Sequence, residues 1–138
     1  MSNQTPELPA VLVVDDDPTC RLMLTYLLQP HAGTCEIMTA TDGAEALSYC
    51  ERRPFRLIIT DNRMPHVSGL ELAAIVKSRW PETRIILISA DMLSDGERRA
   101  RELAVDHYLD KPFPIQQLRA IVASVLPVVL QEQSVGAK

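Results

Sequence analysis

Five short apolar runs, each followed by a stretch with helical spacing, constrain this chain more than any other feature. The runs are Ala10 to Val14, Glu36 to Ala40, Leu57 to Ile59 leading into Asp61, Arg84 to Ser89, and His107 to Leu109. Short apolar runs bounded by turn residues read as buried strands. Glu36 to Ala40 is the weakest of them, because its alternation is poor. Between the runs, Pro18 suits the first turn of a helix with Asp17 as N-cap, and Leu22, Met23, Leu24, Tyr26, Leu27 and Leu28 continue it until Pro30. Thr41-Asp42-Gly43 opens a second helix, and Leu70, Leu72, Ala73, Ile75 and Val76 give a third that Trp80-Pro81 closes. Ser94 and Glu97 have the spacing of a capping box at the head of a polar, arginine-rich fourth helix. A fifth starts at Pro114 with Leu118, Ile121, Val122, Val125 and Leu126 on one face. Strand–helix alternation with strands apolar on both faces implies a parallel sheet covered on both sides. Right-handed crossovers then predict an α/β, doubly wound, five-stranded sheet in the order 2-1-3-4-5.

The 138 residues suffice for one domain with one core and no disulfide or structural metal. The expected division is a polar lead-in over residues 1–9, a domain over 10–126, and a tail or linker stub over 127–138. A net charge of −4 disfavours direct nucleic-acid binding by electrostatics alone. No apolar run approaches the roughly 20 residues that span a bilayer, and the N-terminus lacks the basic and apolar regions of a secretory signal. Cys20, Cys35 and Cys50, odd in number and without a CxxC, read as free thiols in a reducing cytoplasm.

Three of the runs end on acids. Val14 leads into Asp15-Asp16-Asp17, Ile59 leads through Thr60 to Asp61, and Leu109 leads through Asp110 to Lys111-Pro112. In doubly wound sheets ligands bind outside the carboxyl ends of the strands, at the point where strand order reverses. Asp15, Asp16 and Asp61 should meet there. Clustered carboxylates raise one another's pKa unless a cation sits among them, and oxygen ligands in a partly open site suit Mg²⁺, or Mn²⁺ as a similar hard ion. Such a cation would admit a phosphate group. With Lys111 as a second positive charge and the Ser89 hydroxyl nearby, Asp61 is placed to act as a nucleophile toward phosphorus.

The segments VLVVDDDP, ATDGAEAL, LIITDNRMP, SGLEL, IILISA and YLDKPF, in this order and spacing, resemble the response-regulator receiver domains of two-component signalling over about residues 10–126. The resemblance implies the flavodoxin-like form of the fold, with Asp61 as phosphoacceptor. It also implies a Mg²⁺ site made by Asp15, Asp16, Asp61 and the backbone carbonyl of Arg63. Ser89 matches the family's hydroxyl switch, Tyr108 its aromatic switch and Lys111 its phosphate-pairing lysine, with Lys111–Pro112 expected to be cis. A histidine kinase or phosphotransfer protein would be the donor, and the face of fourth helix, last strand and last helix would change its partner preference. A phosphorylation-dependent homodimer stays open. The expected role is a signalling switch that catalyses only its own phosphoryl transfer and autodephosphorylation.

The chain departs from the family in Ser68 before Gly69, in Ala104, and in His107 before Tyr108; these touch loop shape and the partner face. Arg63 and Asp91 occupy variable positions beside the site, and they are expected to pair across its mouth and hinder the attacking water. Other readings are weaker. A haloacid-dehalogenase-type phosphatase needs DxDxT, which is absent, and a flavodoxin-like cofactor binder needs a phosphate loop where three aspartates stand. Asp17 reads as a cap rather than a ligand. His31, His66 and His107 lack metal-ligand spacing, and Arg98, Arg99 and Arg101 read as a solvated helix face.

Overall fold

The computed structural model describes residues 8–90 and 92–126; Asp91, most of the lead-in and the whole 127–138 tail lie outside the described residues. The elements alternate as β1 (Ala10–Val14), α1 (Pro18–Leu27), β2 (Glu36–Ala40), α2 (Gly43–Arg52), β3 (Leu57–Asp61), α3 (Gly69–Arg79), β4 (Arg84–Ser89), α4 (Asp95–Ala104), β5 (His107–Asp110) and α5 (Ile115–Val125), with a 3₁₀ turn at Gln29–His31. All pairings are parallel, in the order β2-β1-β3-β4-β5. The five strands, their order and the five helices are those the sequence predicts.

The middle strands are apolar throughout because both of their faces are covered. Val11, Val13, Ile59, Ile86, Ile88 and Leu109 pack on one face with Leu24, Leu27 and Leu28 from the end of α1 and Leu118 and Val122 of α5. Leu12, Val14, Ile58 and Ile85 pack on the other with Ala46 and Cys50 of α2 and Leu72, Ala73 and Val76 of α3. β2 is an edge strand, buried fully only at Ala40, and this half-exposure explains its poor alternation. The helices are unequally anchored. α3 buries five residues, whereas α4 buries Ala104 alone. The free thiols Cys35 and Cys50 are buried and Cys20 half-buried; burial pushes the Cys50 thiol up to about 11, so it stays protonated and inert.

Helix starts follow local chemistry. The Asp17 carboxylate accepts from the Thr19 N–H at 3.0 Å, so Asp17 caps α1 as expected. Both α3 and α4 begin with full capping boxes, Ser68 with Glu71 and Ser94 with Glu97; only the second was expected from the sequence.

Candidate functional site

Parallel register decides which side chains converge. Asp61 ends β3 opposite Ile88 of β4, Ser89 ends β4 opposite Asp110, and Asp15 follows β1, its N–H bonded to the Ala40 carbonyl at 3.2 Å. The carboxyl ends of β1 and β3, neighbours in the sheet, therefore bring Asp15, Asp16 and Asp61 together. Each offers a carboxylate oxygen, and these oxygens lie within 4.8 Å of one another. Lys111, beyond β5, reaches into the same cluster. Its Nζ stands 3.3 Å from Asp61 Oδ1 and 4.0 Å from Asp15 Oδ2. The Lys111–Pro112 bond is cis, as expected.

The three acids are not equivalent. Asp15 is 2% exposed, Asp61 half-buried and Asp16 exposed. Asp15 Oδ1 accepts the Asp17 N–H at 2.9 Å, and its backbone carbonyl accepts from Arg21 Nη1 at 2.7 Å. Burial pushes the Asp15 carboxyl up, and the Asp61 charge adds to this, against the lowering by the Asp17 N–H and Lys111. For Lys111, burial alone would push the ammonium down, but the Asp61 and Asp15 charges outweigh it and the net shift is upward. Three carboxylates facing one ammonium leave excess negative charge in a partly buried site. That donor set, all hard oxygen and under-neutralised, fits a divalent cation of the Mg²⁺ type.

The loop after β3 is held tightly. The Asn62 carbonyl accepts the Gly69 N–H at 2.9 Å, and its side-chain Oδ1 accepts the Leu70 N–H at 3.1 Å. A Cβ on Gly69 would stand 2.2 Å from the Asp61 carbonyl oxygen, so this position admits only glycine. His66, within the loop, adopts left-handed backbone at φ 70.

Ser89 is fully buried. The Tyr108 hydroxyl, half-buried, is pushed up in pKa by burial and then by Asp110, against smaller lowering effects of Arg101 and Ser89. Arg101 was expected to be part of a solvated face; instead its guanidinium stacks over the Tyr108 ring at 4.8 Å from the centroid. No sequence spacing marks that pair, which joins α4 to β5. A cavity of about 470 Å³ opens beside it, lined by Leu93, Arg98, Arg101, Tyr108, Asp110 and Lys111 among others. Arg63 Nη1 stands 4.0 Å from Glu97 Oε2. The sequence reading gave it Asp91 as partner, which lies outside the described residues, and it missed Glu97 because a capping residue already has a local role.

A five-stranded 2-1-3-4-5 sheet with an acid cluster and one lysine at the carboxyl ends of β1, β3 and β5 defines a phosphoacceptor signalling domain. Residues 11–123 match the response regulator receiver domain family, and the chain belongs to it. It is 34% identical over 117 residues to the response regulator protein PilR of Pseudomonas aeruginosa, covering 83% of this chain but only 25% of PilR. It is 31% identical to a probable chemotaxis protein CheY of Rhizobium etli, covering 83% of this chain and 90% of that protein. Among solved structures, the response regulator TrrA of Thermotoga maritima in complex with Mg²⁺-BeF superposes with a TM-score of 0.72 at 34% identity, over 86% of this chain and 100% of that one. No helix among the described residues is long and apolar enough to cross a membrane.

Proposed function

We propose that Asp61 is the phosphoacceptor of this receiver domain, and that its donor is the phosphohistidine of a cytoplasmic histidine kinase or phosphotransfer protein. The observation that carries this reading is the Lys111 ammonium 3.3 Å from Asp61 Oδ1, inside a cluster of three acids. In the transfer, an Asp61 carboxylate oxygen bonds to phosphorus while the donor's P–N bond breaks, and the departing imidazole nitrogen takes up a proton. The acyl phosphate adds about two negative charges. Lys111, whose raised pKa keeps it charged, pairs with one phosphoryl oxygen, and the Ser89 hydroxyl donates to another. Tyr108 follows Ser89, and the face of α4, β5 and α5 shifts its partner preference. Such a shift needs only a few kcal/mol of differential interaction.

Asp15, Asp16, Asp61 and the Arg63 carbonyl would hold Mg²⁺ or Mn²⁺. When bound, the ion supplies the positive charge that offsets the acids and lets phosphate approach. Loss of the phosphoryl group is the reverse in kind: water attacks phosphorus, the P–O bond to Asp61 breaks, and inorganic phosphate leaves. The domain catalyses these two reactions on itself and acts otherwise as a switch.

The test is intact mass after brief incubation with Mg²⁺ and a small acyl phosphate. One added phosphoryl group is expected, lost in Asp61→Asn and without metal. A folded, Mg²⁺-binding protein that also gains no mass from a phosphorylated histidine donor would overturn the assignment. Sizing of the phosphorylated protein reads whether the same face pairs two copies.

A further inference from the structure

Two capping boxes of the same chemistry stand side by side in this fold, and one of them carries an additional load. In α3, the Glu71 carboxylate accepts the Ser68 N–H at 2.8 Å. In α4, Glu97 Oε1 accepts the Ser94 N–H at 2.9 Å, while its other oxygen faces Arg63 Nη1 at 4.0 Å. Arg63 lies two residues beyond Asp61, on the loop that leaves the acid cluster. The residue between them, Asn62, is buried, and its amide nitrogen closes no hydrogen bond of good geometry. That amide is nonetheless near enough to Glu97 to help lower its carboxyl, after the larger effects of the Ser94 N–H and the Arg63 charge. The loop that leaves Asp61 thus meets the first turn of α4 where Arg63 faces the Glu97 carboxylate.

A guanidinium so placed has two anionic claimants once Asp61 is phosphorylated. Among the described residues, one resting claimant is the Glu97 carboxylate, partly exposed and partly committed to a helix cap. The new one is a phosphoryl group of about two charges, which guanidinium binds through two parallel hydrogen bonds. We propose that Glu97 is a positioning residue for the acceptor site: it holds Arg63 in the resting protein and yields it to the phosphoryl group, so that the first turn of α4 registers the state of Asp61. This rests on Asp61 being the phosphoacceptor.

The capping box itself supplies a clean variant, because glutamine serves at its third position as well as glutamate. Glu97→Gln keeps the cap and removes the charge that holds Arg63. Glu71→Gln makes the same change where no arginine among the described residues is paired. With this hold on Arg63 removed, Glu97→Gln is expected to lengthen the phosphoryl lifetime about twofold to fivefold, the range an exposed ion pair supports. Glu71→Gln should leave it unchanged, and Arg63→Gln and the double variant Arg63→Gln/Glu97→Gln should match each other. A second readout is amide exchange over residues 95–98. Addition of Mg²⁺ with beryllium fluoride should speed it in the wild type and in Glu71→Gln, but not in Glu97→Gln. An unchanged lifetime in Glu97→Gln, an equal effect in Glu71→Gln, or an effect that persists without Arg63 would each overturn the inference. Absence of any phosphoryl mass on the wild-type protein would instead remove the acceptor assignment, and this inference with it.

Discussion

Replacing Asp15 with asparagine should make the metal-free protein more stable while destroying its response to Mg²⁺. The Asp15 carboxylate is 2% exposed, and two other carboxylates lie no farther than 4.8 Å from it. At an effective dielectric of about 20, each acid–acid repulsion is worth about 3.5 kcal/mol and the Lys111 attraction across 4.0 Å about 4 kcal/mol. Two repulsions against one attraction leave about 3 kcal/mol of net strain from the Asp15 charge. Asp16 is exposed and its share is screened, which reduces the relief to about 1–2 kcal/mol. Asparagine keeps an acceptor oxygen for the Asp17 N–H. A domain of this size should then melt about 3–10 °C higher in a chelator. Wild-type protein should gain stability with Mg²⁺ as the logarithm of its concentration above Kd, and the variant should not.

The pH dependence carries the same sign. A carboxyl raised in the folded state binds protons more tightly there than in the unfolded chain. Its unfavourable contribution is therefore relieved as pH falls through the raised native value toward 3.8, and is fully present at neutral pH. Thermal unfolding by circular dichroism with and without Mg²⁺ measures both effects. If Asp15→Asn melts below wild type in chelator, or still shifts with Mg²⁺, the charge argument fails.

Three further outcomes follow from the same geometry. Lys111→Ala should tighten Mg²⁺ binding several-fold, because the ion loses a competing cation, yet slow phosphoryl uptake about 10²-fold; a fluorescence or calorimetric titration beside intact mass separates the two. Arg63→Ala should shorten the phosphoryl lifetime about twofold to fivefold, read by loss of added mass over time, and no change would refute its shielding role. Gly69→Ala should destabilise by about 2–3 kcal/mol in urea unfolding, since its Cβ meets the Asp61 carbonyl oxygen at 2.2 Å and Leu87 Cδ1 at 2.8 Å.

Much of this was legible in the chain because its signals are local and mutually consistent. Buried strands announce themselves as apolar runs, Pro18, Pro30 and Pro81 punctuate the helices, and parallel connectivity leaves few orders for five strands. The convergence of Asp15, Asp16, Asp61 and Lys111 followed from strand ends alone. What the sequence concealed were pairs between elements that share no period. Arg101 reads as one of several solvent arginines, and only the packing of α4 against β5 sets it over Tyr108. Lys77 and Asp106 are 29 positions apart in number and carry no motif, yet they pair at 2.7 Å while the same Asp106 oxygen accepts the Ile85 N–H, fastening α3 to the start of β4. Glu97 was visible as a cap and not as a partner of Arg63, since one residue type served both ends.

The contrast between β3 and α4 has a mechanical consequence. Leu57 to Thr60 are buried without exception, and the strand is bonded on both sides, to β1 and β4. α4 buries only Ala104, and its other ties are half-exposed contacts such as Arg101 over Tyr108 and Ala100 against the Leu70, Leu87 and Leu93 cluster. On the proposed function, charge delivered to Asp61 would land on the stiffest part of the molecule, where backbone displacement is costliest, and the resulting stress would relax where compliance is greatest. Amide exchange should be slowest in β3 and fast in α4 even at rest. The sheet works as a fixed plate and the helix as its soft rim, so substitutions along the exposed side of α4 can retune the response without endangering the fold.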